Sequence, residues 1–455
     1  MANAAHRERR SLSGWGRTAP SVADVARPTS VGAIAELLTA PAPRGVIARG
    51  LGRSYGDVAQ NGGGMVVDLT GLDSILDFNT SAGTVTVAGG CSLAAIIELV
   101  APVGWFLPVT PGTRFVTVGG AIACDVHGKN HHRDGSFGSH VAALTLLTAS
   151  GDLRTLSPEE TPREFWATVG GLGLTGFVVE ATLKLLPAES TAIRVDTERT
   201  ADLDATFEKL RATDQSYRYS VAWLDCATRG RLGRGIVIQG DHAAAGEADT
   251  PSALPSQHPR ISAPGWLSLA PVLRSPLIGL LNDVHFRRAR PGTGRIEAIE
   301  PFFYPLDALG DWNRVYGRGG FLQYQFAVPL DREDVVHSAL GLLYDAGLRS
   351  TLAVLKRFGP ESQAPLSFPF PGWTLALDIA LPAPAAARTL SSLDDLVAEA
   401  GGRVYLAKDS RLRRELVEVM NPRLPEWQAV RRELDPDGLF QHDLGRRLGL
   451  TGSSS

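Results

Sequence analysis

Residues 115–141 read FVTVGGAIACDVHGKNHHRDGSFGSHV, and the fold and its functional site are decided by this stretch. Gly119 and Gly120 come after a short β-branched run, and glycine lets a backbone approach a ligand closely because it has no Cβ. A polar segment with His127 and Lys129 follows. A donor-rich loop behind an apolar strand is a usual place for function. We therefore predict a strand before Gly119 and a ligand-binding loop after it. An ordinary glycine-rich connection with solvated histidines is the alternative.

A second glycine-rich loop lies upstream, where residues 44–57 read RGVIARGLGRSYGD. Gly50 and Gly52 begin a G-x-G-x-x-G spacing, but Tyr55 takes the third glycine's place. A Rossmann dinucleotide site also requires a helix directly after its loop, whereas AQNGGG here leads into the strand-like MVVDL. We predict instead a turn whose successive N–H groups bind an anion such as a pyrophosphate. A tight structural turn is the alternative.

The amino-acid composition is that of a globular protein and gives no indication of nucleic-acid binding. The 455 residues suffice for two or three domains with substantial cores. Hydrophobic residues make up 44% and charged residues 20%, and the formal charge of −3 gives no global case for nucleic-acid binding. Cys91, Cys124 and Cys226 are odd in number and widely spaced, so neither a disulfide framework nor a zinc site is predicted from them.

The sequence predicts neither a leader or membrane-spanning segment nor a metal site. The N-terminal basic run, which includes Arg9 and Arg10, has no apolar region behind it, so we expect neither a signal peptide nor a twin-arginine leader. No window reaches the ~18–20 apolar residues of a membrane span, and we expect a soluble or peripheral protein. His127, His131 and His132 could share a metal only on a helix and lack a carboxylate or cysteine ligand set, so we predict no metal site.

Periodicity predicts mixed helices and strands along the chain. Ser92 has the character of an N-cap for a helix over 93–100, and residues 140–156 predict two strands that turn at 150–152. The further predicted helices lie within 29–39, 201–213, 331–347, 411–420 and 425–434, and the further strands within 65–69, 74–78, 84–90, 217–226, 320–330, 351–359 and 372–382.

Several motifs in a fixed order resemble a known family. They are A-R-G-x-G-R-S-Y-G from 48, P-V-T-P-G-T-R-x-V-T-V-G-G from 108 and G-G-x-G-L-T-G from 170, and together they resemble the FAD-binding domain of the vanillyl-alcohol-oxidase and p-cresol-methylhydroxylase family. D-V-H-G-K-N-H-H from 125, Q-Y-Q-F from 323, L-K-R-F-G-P from 355, Q-A-P-L-S-F-P from 363 and Y-L-A-K-D-S-R from 405 are most similar to the oxidase components of decaprenylphosphoryl-β-D-ribose 2′-epimerases. The resemblance covers nearly the whole chain.

The resemblance implies an α+β flavoprotein with a p-cresol-methylhydroxylase-type FAD-binding domain and an antiparallel-sheet substrate domain. The expected bounds are 1–188 for the first and 189–402 for the second, which has a mobile insertion at about 241–294, and a segment at 403–455 returns to the FAD domain. Some relatives attach the flavin covalently through a histidine in the first loop. Arg53 stands at that position and cannot form the bond, so we expect non-covalent FAD.

Site residues are carried over from the same motifs. The catalytic candidates are Lys408, His127 and Tyr405, with Lys408 to polarise the substrate or stabilise the reduced flavin and His127 as a base or orienting group. The expected FAD-binding residues are Arg49, Gly50, Leu51, Gly52, Arg53, Ser54, Tyr55, Gly56, Gly112, Thr113, Val118, Gly119, Gly120, Ala123, Cys124, His127, Gly128, Asn130, Gly173, Thr175, Gly176, Val178 and Tyr405. The expected substrate-binding residues are Tyr55, His127, Lys129, Ser220, Trp223, Gln323, Gln325, Lys356, Thr374, Ala376 and Lys408, of which the lysines suit a phosphate.

The second half of the insertion, residues 266–295, mixes apolar residues with arginines. Asp283 is the one acidic residue in this stretch, and Arg260 lies just before the stretch. A segment that contacts an anionic lipid surface and a core helix with a basic flank both fit this composition. A polyprenyl-phosphate substrate, which the resemblance implies, favours the membrane.

The implied activity is FAD-dependent oxidation of the 2′-hydroxyl of decaprenylphosphoryl-β-D-ribose to the 2-keto sugar. A separate NAD(P)H-dependent short-chain reductase would complete the epimerisation to decaprenylphosphoryl-arabinose for cell-wall arabinan, and the family is placed in the periplasm. Close relatives often carry cysteine where Ala376 stands, so a thiol there is not needed for the oxidation. A soluble sugar-alcohol or aldonolactone oxidase is the same-class alternative, and a flavoprotein scaffold without turnover is the alternative from another class.

Overall fold

A computed structural model describes residues 7–40, 42–228, 230–247, 261–264, 268–273, 275 and 277–451. In the first part of the chain the strands are Arg7–Leu12 (β1), Ser21–Ala26 (β2), Val46–Arg49 (β3), Met65–Asp68 (β4), Ile75–Asn79 (β5), Thr84–Ala88 (β6), Trp105–Phe106 (β7), Val141–Leu147 (β8), Leu153–Leu156 (β9), Phe177–Lys184 (β10) and Leu186–Pro187 (β11). The helices are Val31–Thr39 (α1), Leu93–Val100 (α2), Val118–Ala123 (α3), His131–Asp134 (α4) and Pro162–Thr168 (α5), and short 3₁₀ helices span Leu69–Gly71, Ala101–Val103 and Phe137–His140.

These strands form two main sheets. The first has the order β1-β2-β4-β3, in which β4 runs parallel to both β2 and β3. No helix lies between β3 and β4. The loop after β3 is therefore not a Rossmann dinucleotide site, in agreement with the sequence analysis. The second sheet has the order β5-β6-β10-β8-β9 and is antiparallel. The predicted cap of α2 is confirmed, because the Ser92 side chain accepts a hydrogen bond from the Ala95 N–H.

The strand predicted before Gly119 is wrong. Thr117 caps a short helix, α3, by accepting a hydrogen bond from the Gly120 N–H, and both glycines lie in its first turn. A β-branched residue followed by glycines is typical of a strand by composition, but a threonine hydroxyl that satisfies an otherwise unpaired N–H stabilises the helix instead. The glycine pair therefore presents helix backbone, and the polar loop begins after Ala123.

The second part of the chain is built on an eight-stranded sheet. The strands of this part of the chain are Ala192–Thr200 (β12), Tyr219–Leu224 (β13), Gly235–His242 (β14), Ile261–Ser262 (β15), Gly292–Ala298 (β16), Leu309–Gly310 (β17), Phe321–Pro329 (β18), Ala353–Phe358 (β19), Gly372–Ala380 (β20) and Arg403–Val404 (β21). The order is β16-β12-β14-β13-β19-β20-β18-β21, and β15 pairs with β17 apart from it. Neighbouring strands of the large sheet are antiparallel, which confirms the α+β class with an antiparallel second sheet.

Helices cover this sheet and continue to the end of the described chain. They are Leu203–Ala212 (α6), Ala270–Leu273 (α7), Leu277–Arg288 (α8), Ile299–Phe303 (α9), Glu333–Asp345 (α10), Ala386–Glu399 (α11), Glu415–Met420 (α12), Leu424–Leu434 (α13) and Asp443–Leu448 (α14), with 3₁₀ helices at Pro305–Ala308, Trp312–Tyr316 and Leu406–Lys408. Among the described residues, no helix is both long enough and apolar enough to cross a membrane.

The insertion differs from its predicted bounds at both ends. Strand β14 extends to His242 and strand β16 begins at Gly292, so each end of the predicted insertion belongs to the large sheet. Within the described part α8 is regular, and its Asn282 is buried and donates to Asp225 and to the Ser350 carbonyl. Arg260 and Arg274, which belonged to the predicted basic set, lie outside the described residues.

The C-terminal segment contacts the first part of the chain. Phe440 forms a parallel bridge with Val46, and the Trp427 indole donates to the Ala167 carbonyl at 3.0 Å. The Arg447 guanidinium bonds Asp57 at 2.7 and 3.0 Å and Asp409 at 2.9 Å. The loop after β3 and the 3₁₀ helix that carries Lys408 are thereby held together.

Candidate active site

A cavity of about 880 Å³ lies between the first part of the chain, one face of the large sheet and the Lys408 segment. Its lining includes most of the residues that the motifs single out. From the first part come Gly50, Leu51, Gly52, Arg53, Ser54, Tyr55, Gly112, Thr113, Gly119, Gly120, Ala123, Cys124, His127, Gly128, Lys129, Gly173, Gly176 and Val178, and from the second come Trp223, Gln323, Gln325, Lys356, Ala376, Tyr405 and Lys408.

The glycine-lined end depends on two close approaches. Gly52 has φ of +65°, and a Cβ there would lie 2.4 Å from Arg49 Nη2. A Cβ on Gly56 would lie 1.7 Å from the Asp409 carbonyl oxygen. The first loop can therefore fold over Arg49 and pack against the residue after Lys408 only with glycine at these positions.

One face of the large sheet forms the opposite wall. In the strand register Gln325 is paired with Ala376, and Ala376 is paired with Val354. Gln323 and Lys356 are two residues along from Gln325 and Val354, so the period of two places them on the same face. The alternation in 320–330, 351–359 and 372–382 thus brings three motifs that are distant in sequence to one wall.

His127 is held in place on both sides of its ring. The Gln325 amide nitrogen donates to its Nε2 at 3.1 Å and to Thr374 Oγ1 at 3.0 Å. The ring centroids of Phe358 and Tyr405 lie 4.9 and 5.2 Å from that of His127. Burial, with Lys356 and Lys408 nearby, lowers its pKa well below the ordinary value, so the ring is neutral. With Nε2 as acceptor, the proton is on Nδ1, which is buried and has no partner in the described part of the chain.

Three partly buried lysines line the same cavity. Lys129 donates to the Phe302 carbonyl, Lys356 donates to the Gly128 carbonyl at 3.3 Å, and Lys408 Nζ lies 5.4 Å from the centre of the Tyr55 ring. Burial lowers the pKa of Lys129 to about 8 and that of Lys356 to about 7, and it also lowers the pKa of Lys408. Among the described residues no carboxylate lies within 4.0 Å of any of these ammonium groups, so the cavity suits an anionic ligand.

Some predicted FAD-binding residues do not line the cavity. Arg49 lies under the loop, where it donates to the carbonyls of Ala59 and Ser13. The other four are Gly56, which packs on Asp409; Val118, which is in the core; Asn130, which donates to the Pro108 carbonyl; and Thr175, which donates to Thr168. Motif membership marks the loops correctly here, but half of a loop's side chains necessarily point away from the ligand.

Two predicted substrate residues are also set back from the cavity. Ser220 accepts a hydrogen bond from Gln239 and donates its backbone N–H to the Lys129 carbonyl. Thr374 donates to the Phe326 carbonyl and accepts from Gln325. Both support residues that line the cavity, and neither lines it.

Sequence reasoning missed a group of lining residues from outside the motifs. They include Trp15, Leu281, His285, Glu297, Phe302 and Trp312. Trp15 stacks on the Arg53 guanidinium at 3.9 Å, and the His285 ring lies 4.7 Å from that of Trp223. The helical spacing of residues 277–288 was the one available signal, but it does not reveal which face of the helix meets the cavity.

Helix α8 stands at the border between the cavity and solvent. Leu281 lines the cavity, while Leu277 and Leu280 are 57% and 61% exposed. These exposed residues lie one turn apart on one side of the helix, and Asn282 anchors the other side. Asp283 pairs with Arg231, Arg234 and Arg287, so the acid of this segment is neutralised.

His131 and His132, which lie near the cavity, contact backbone groups through their rings. His131 Nδ1 accepts from the Gly359 N–H at 3.1 Å, and His132 Nε2 lies 3.0 Å from the Tyr217 carbonyl oxygen. Within the described ranges no three His, Cys, Asp or Glu side chains are arranged to hold a metal ion.

The glycine-rich loops at 50–56 and 112–120 lie within a region that is similar to known FAD-binding domains. Residues 22–157 match the family of FAD binding domains. The chain is 42% identical to a decaprenylphosphoryl-β-D-ribose oxidase from Mycolicibacterium smegmatis over 96% of this chain and 97% of the relative. It is 32% identical to an L-gulono-1,4-lactone dehydrogenase from Mycobacterium tuberculosis and 30% identical to an alditol oxidase from Streptomyces, over 42% and 41% of this chain and 43% and 45% of those relatives.

Proposed function

The chain belongs to the family of decaprenylphosphoryl-β-D-ribose oxidases, which are FAD-dependent oxidoreductases, and from this membership we propose that it oxidises the 2′-hydroxyl of decaprenylphosphoryl-β-D-ribose to the 2-keto sugar. The observation that carries the proposal is the continuity of the cavity. It runs from the glycine-lined end past three partly buried lysines to helix α8 with its exposed leucines. An apolar chain joined by a phosphate to a sugar has the same sequence of chemistries.

FAD fits the residues at the glycine-lined end. The backbone at Gly50, Gly52, Gly119 and Gly120 lines this end of the cavity. A Cβ at Gly50 would lie 2.1 Å from Thr117 Oγ1, so glycine lets the first loop pack against the helix α3 cap and present its backbone to a ligand. Arg53 is partly buried beside this end, and its buried Nε has no hydrogen-bond partner among the described residues, which suits an anionic group. When bound, FAD supplies the two-electron acceptor for oxidation of the alcohol. The attachment is non-covalent in this proposal, since Arg53 cannot form the bond that a histidine forms.

The proposed roles of the chain's own side chains follow from their contacts. Lys129 and Lys356 provide positive charge for the substrate phosphate, because an anion there would offset the desolvation that lowers the pKa of both lysines. His127 is an orienting group more than a base, since its Nε2 is occupied by Gln325 and its Nδ1 holds the proton. Lys408 presents an ammonium group to the cavity, where it stabilises negative charge that develops during the oxidation.

Helix α8 is the proposed membrane contact. The exposed leucines and the flanking Arg287 and Arg288 give an apolar strip beside positive charge, which suits an anionic lipid surface. A lipid substrate could then pass from the bilayer to the cavity beside Leu281, which borders both. The protein is peripheral in this proposal, and the periplasm is the expected compartment.

A reductase partner follows from the chemistry of the product. Oxidation of the 2′-hydroxyl gives a ketone, and reduction of that ketone from the other face gives the arabinose epimer. This step requires a hydride donor, so the proposed partner is a separate NAD(P)H-dependent short-chain reductase. The two steps together would supply decaprenylphosphoryl-arabinose for cell-wall arabinan.

Anaerobic mixing tests the proposed reaction. The purified holoenzyme is mixed with a prenylphosphoryl-β-D-ribose, with xylitol and with L-gulono-1,4-lactone in separate experiments, and the flavin absorbance is followed. We expect bleaching with the prenylphosphoryl sugar and none with the two soluble compounds at the same concentration. Bleaching by xylitol or the lactone alone would favour the soluble oxidase alternative, and no bleaching with any of them would contradict turnover.

A further inference from the structure

A buried carboxylate lies beside the cavity wall, where its hydrogen-bond partner Gln323 lines the cavity together with Lys408. Asp378 of β20 is 2% exposed and is not one of the residues that line the cavity in the described chain. Its Oδ1 accepts from Gln323 Nε2 at 2.6 Å, and its Oδ2 accepts from the Tyr316 hydroxyl at 3.1 Å. Gln323 is also its register partner across the strand pair β18–β20. The carboxylate is therefore fixed by a strand and a 3₁₀ helix and cannot reach a ligand itself.

The charges around Lys408 make this carboxylate important. Burial lowers the pKa of Lys408, and Asp378 acts in the opposite direction by raising it. Lys356 and Lys408 repel each other, as the lowered pKa of Lys356 reflects. The other titratable groups that face Lys408 are His127, which is neutral, and Tyr55 and Tyr405, whose pKa values burial raises. Asp378 is thus the negative charge that offsets burial and the second lysine.

We propose, on the basis of the function above, that Asp378 is the positioning residue that keeps the Lys408 side chain charged and directed into the cavity. It acts through the lysine and does not touch the substrate. Its burial also raises its own pKa, and the two donors, Gln323 and Tyr316, counter that rise by stabilising the ionised form. The alternative is a purely structural role, in which Asp378 joins the 3₁₀ helix at Trp312–Tyr316 to the sheet.

Asp378→Asn separates these roles. The amide oxygen can accept from Gln323 as the carboxylate does, and the side chain has nearly the same shape, but the charge is lost. Asp394→Asn is the control for loss of a buried carboxylate charge, although Asp394 also pairs with Arg411 at 2.6 Å. Asp394 is also buried and accepts from a tyrosine hydroxyl, that of Tyr324, at 2.9 Å, but Tyr324 follows Gln323 on β18 and points to the opposite face of the sheet.

The first measurement needs no substrate. The FAD-loaded protein is labelled with a trace of acetic anhydride between pH 6 and 10, and the acetylation of Lys408 is quantified by mass spectrometry. The reagent reacts with the neutral amine, so the pH of half-maximal labelling reports the titration of Lys408. We expect this midpoint to move about one pH unit toward acid in Asp378→Asn, the lower end of the effect of a nearby opposite charge. Asp394→Asn should leave it in place.

The second measurement is the pH dependence of flavin reduction by prenylphosphoryl ribose. Loss of the charged lysine at lower pH should move the alkaline fall of the rate in the same direction, so that at a pH well above both midpoints the variant is about tenfold slower, as one unit of pKa requires. Asp378→Glu keeps the charge and should restore the wild-type midpoint in the labelling experiment. If Asp378→Asn does not fold, Asp378→Ser is the second neutral variant for both measurements.

Two outcomes would overturn the proposal, and they differ from failure of the proposed function. An unchanged labelling midpoint in a folded neutral variant would assign Asp378 a structural role. An equal shift in Asp394→Asn would show that general destabilisation, and not the charge, moves the midpoint. If wild-type flavin is not reduced by the prenylphosphoryl sugar, the proposed function fails while the labelling experiment still reports on the pair.

Discussion

Arg53 is the residue on which the proposed non-covalent attachment of the flavin depends. Its guanidinium stacks on Trp15, and its Nε is buried without a partner in the described chain, so the side chain faces the glycine-lined end as a cation. A guanidinium cannot form the bond that a histidine forms with a flavin. We therefore expect acid precipitation of the holoenzyme to release all the yellow colour into the supernatant. Flavin that stays on the denatured chain, measured by absorbance and by mass spectrometry, would contradict non-covalent attachment.

Lys408 is the residue whose charge we expect to matter most for rate. A preorganised charge aimed at developing negative charge in a dry site is typically worth ~3–4 kcal/mol, or about 10²–10³ in rate. Lys408→Ala should still fold and bind FAD, because its Nζ makes no ion pair within the described chain, but its flavin should be reduced that much more slowly under anaerobic mixing. Lys408→Arg should restore the rate in part only, since a guanidinium is larger and holds its proton more tightly.

The control for Lys408 is Lys184→Ala, which removes an exposed lysine from strand β10. That variant should match the wild type in flavin reduction. If Lys408→Ala reduces its flavin within about threefold of the wild type, the 10²–10³ expectation for a preorganised charge does not apply to this lysine. His127, which is fixed by Gln325 and two aromatic rings, would then be the leading candidate for the rate.

At the scale of elements, helix α8 carries the proposed membrane contact. Replacing Leu277 and Leu280 together by glutamine removes apolar surface that is more than half exposed in the structure. Each buried leucine contributes about 1.5–3 kcal/mol to transfer from water, so we expect a large loss of binding to anionic vesicles in a flotation assay. The control is Leu342→Gln, since Leu342 is a 40% exposed leucine on α10. Equal vesicle binding by wild type and the α8 variant would show that α8 is not the contact.

Reversing the charge of Arg287, which the composition alone suggests, is a weaker test of the membrane contact. Arg287 is paired with Asp283 at 2.8 Å, so its reversal also disturbs that carboxylate and, through it, Arg234. Arg288→Glu avoids this pair and should weaken binding to anionic vesicles by about 1 kcal/mol. The loss should diminish as salt is raised, because the interaction is electrostatic.

The same elements show what could be predicted from sequence and what could not. Local signals sufficed for α2, whose cap is the residue Ser92, and for β8 and β9, whose turn is marked by Gly151. They failed for α3, where the Thr117 cap outweighs the β-branched pattern and the Val118 and Gly119 N–H groups donate to the carbonyls of Cys91 and Gly89, which are distant in sequence. The opposing wall of the site depends on register between strands that are distant in sequence, so the place of Asp378 beside Gln323 could not be recognised before the pairing of β18 and β20 was known.

At the scale of the whole molecule, the two halves are joined by a buried ion cluster. Arg114 lies in the motif loop that contributes Gly112 and Thr113 to the cavity, and it is 1% exposed. Its guanidinium lies 2.8 Å from Glu300 and 3.5 Å from Asp307, and its backbone N–H donates to Asp307 at 2.9 Å. The first part of the chain is thereby fixed to the helices that follow β16.

Removing one partner from such a cluster is costly, because the other charge stays buried without compensation. Arg114→Met should lower the free energy of unfolding by about 3–5 kcal/mol in urea titration at a fixed FAD concentration. Asp307→Asn in the same chain should recover part of that loss, since the uncompensated carboxylate is then gone. Arg163→Met is the control: Arg163 also joins distant segments, through Glu433 at 2.6 Å, but both side chains are more than half exposed and solvent screens the pair, so its loss should change the midpoint little. If Arg114→Met and Arg163→Met unfold at the same urea concentration, the halves are held by apolar packing. The ion cluster would then orient the loop at Gly112 and Thr113 without stabilising the molecule.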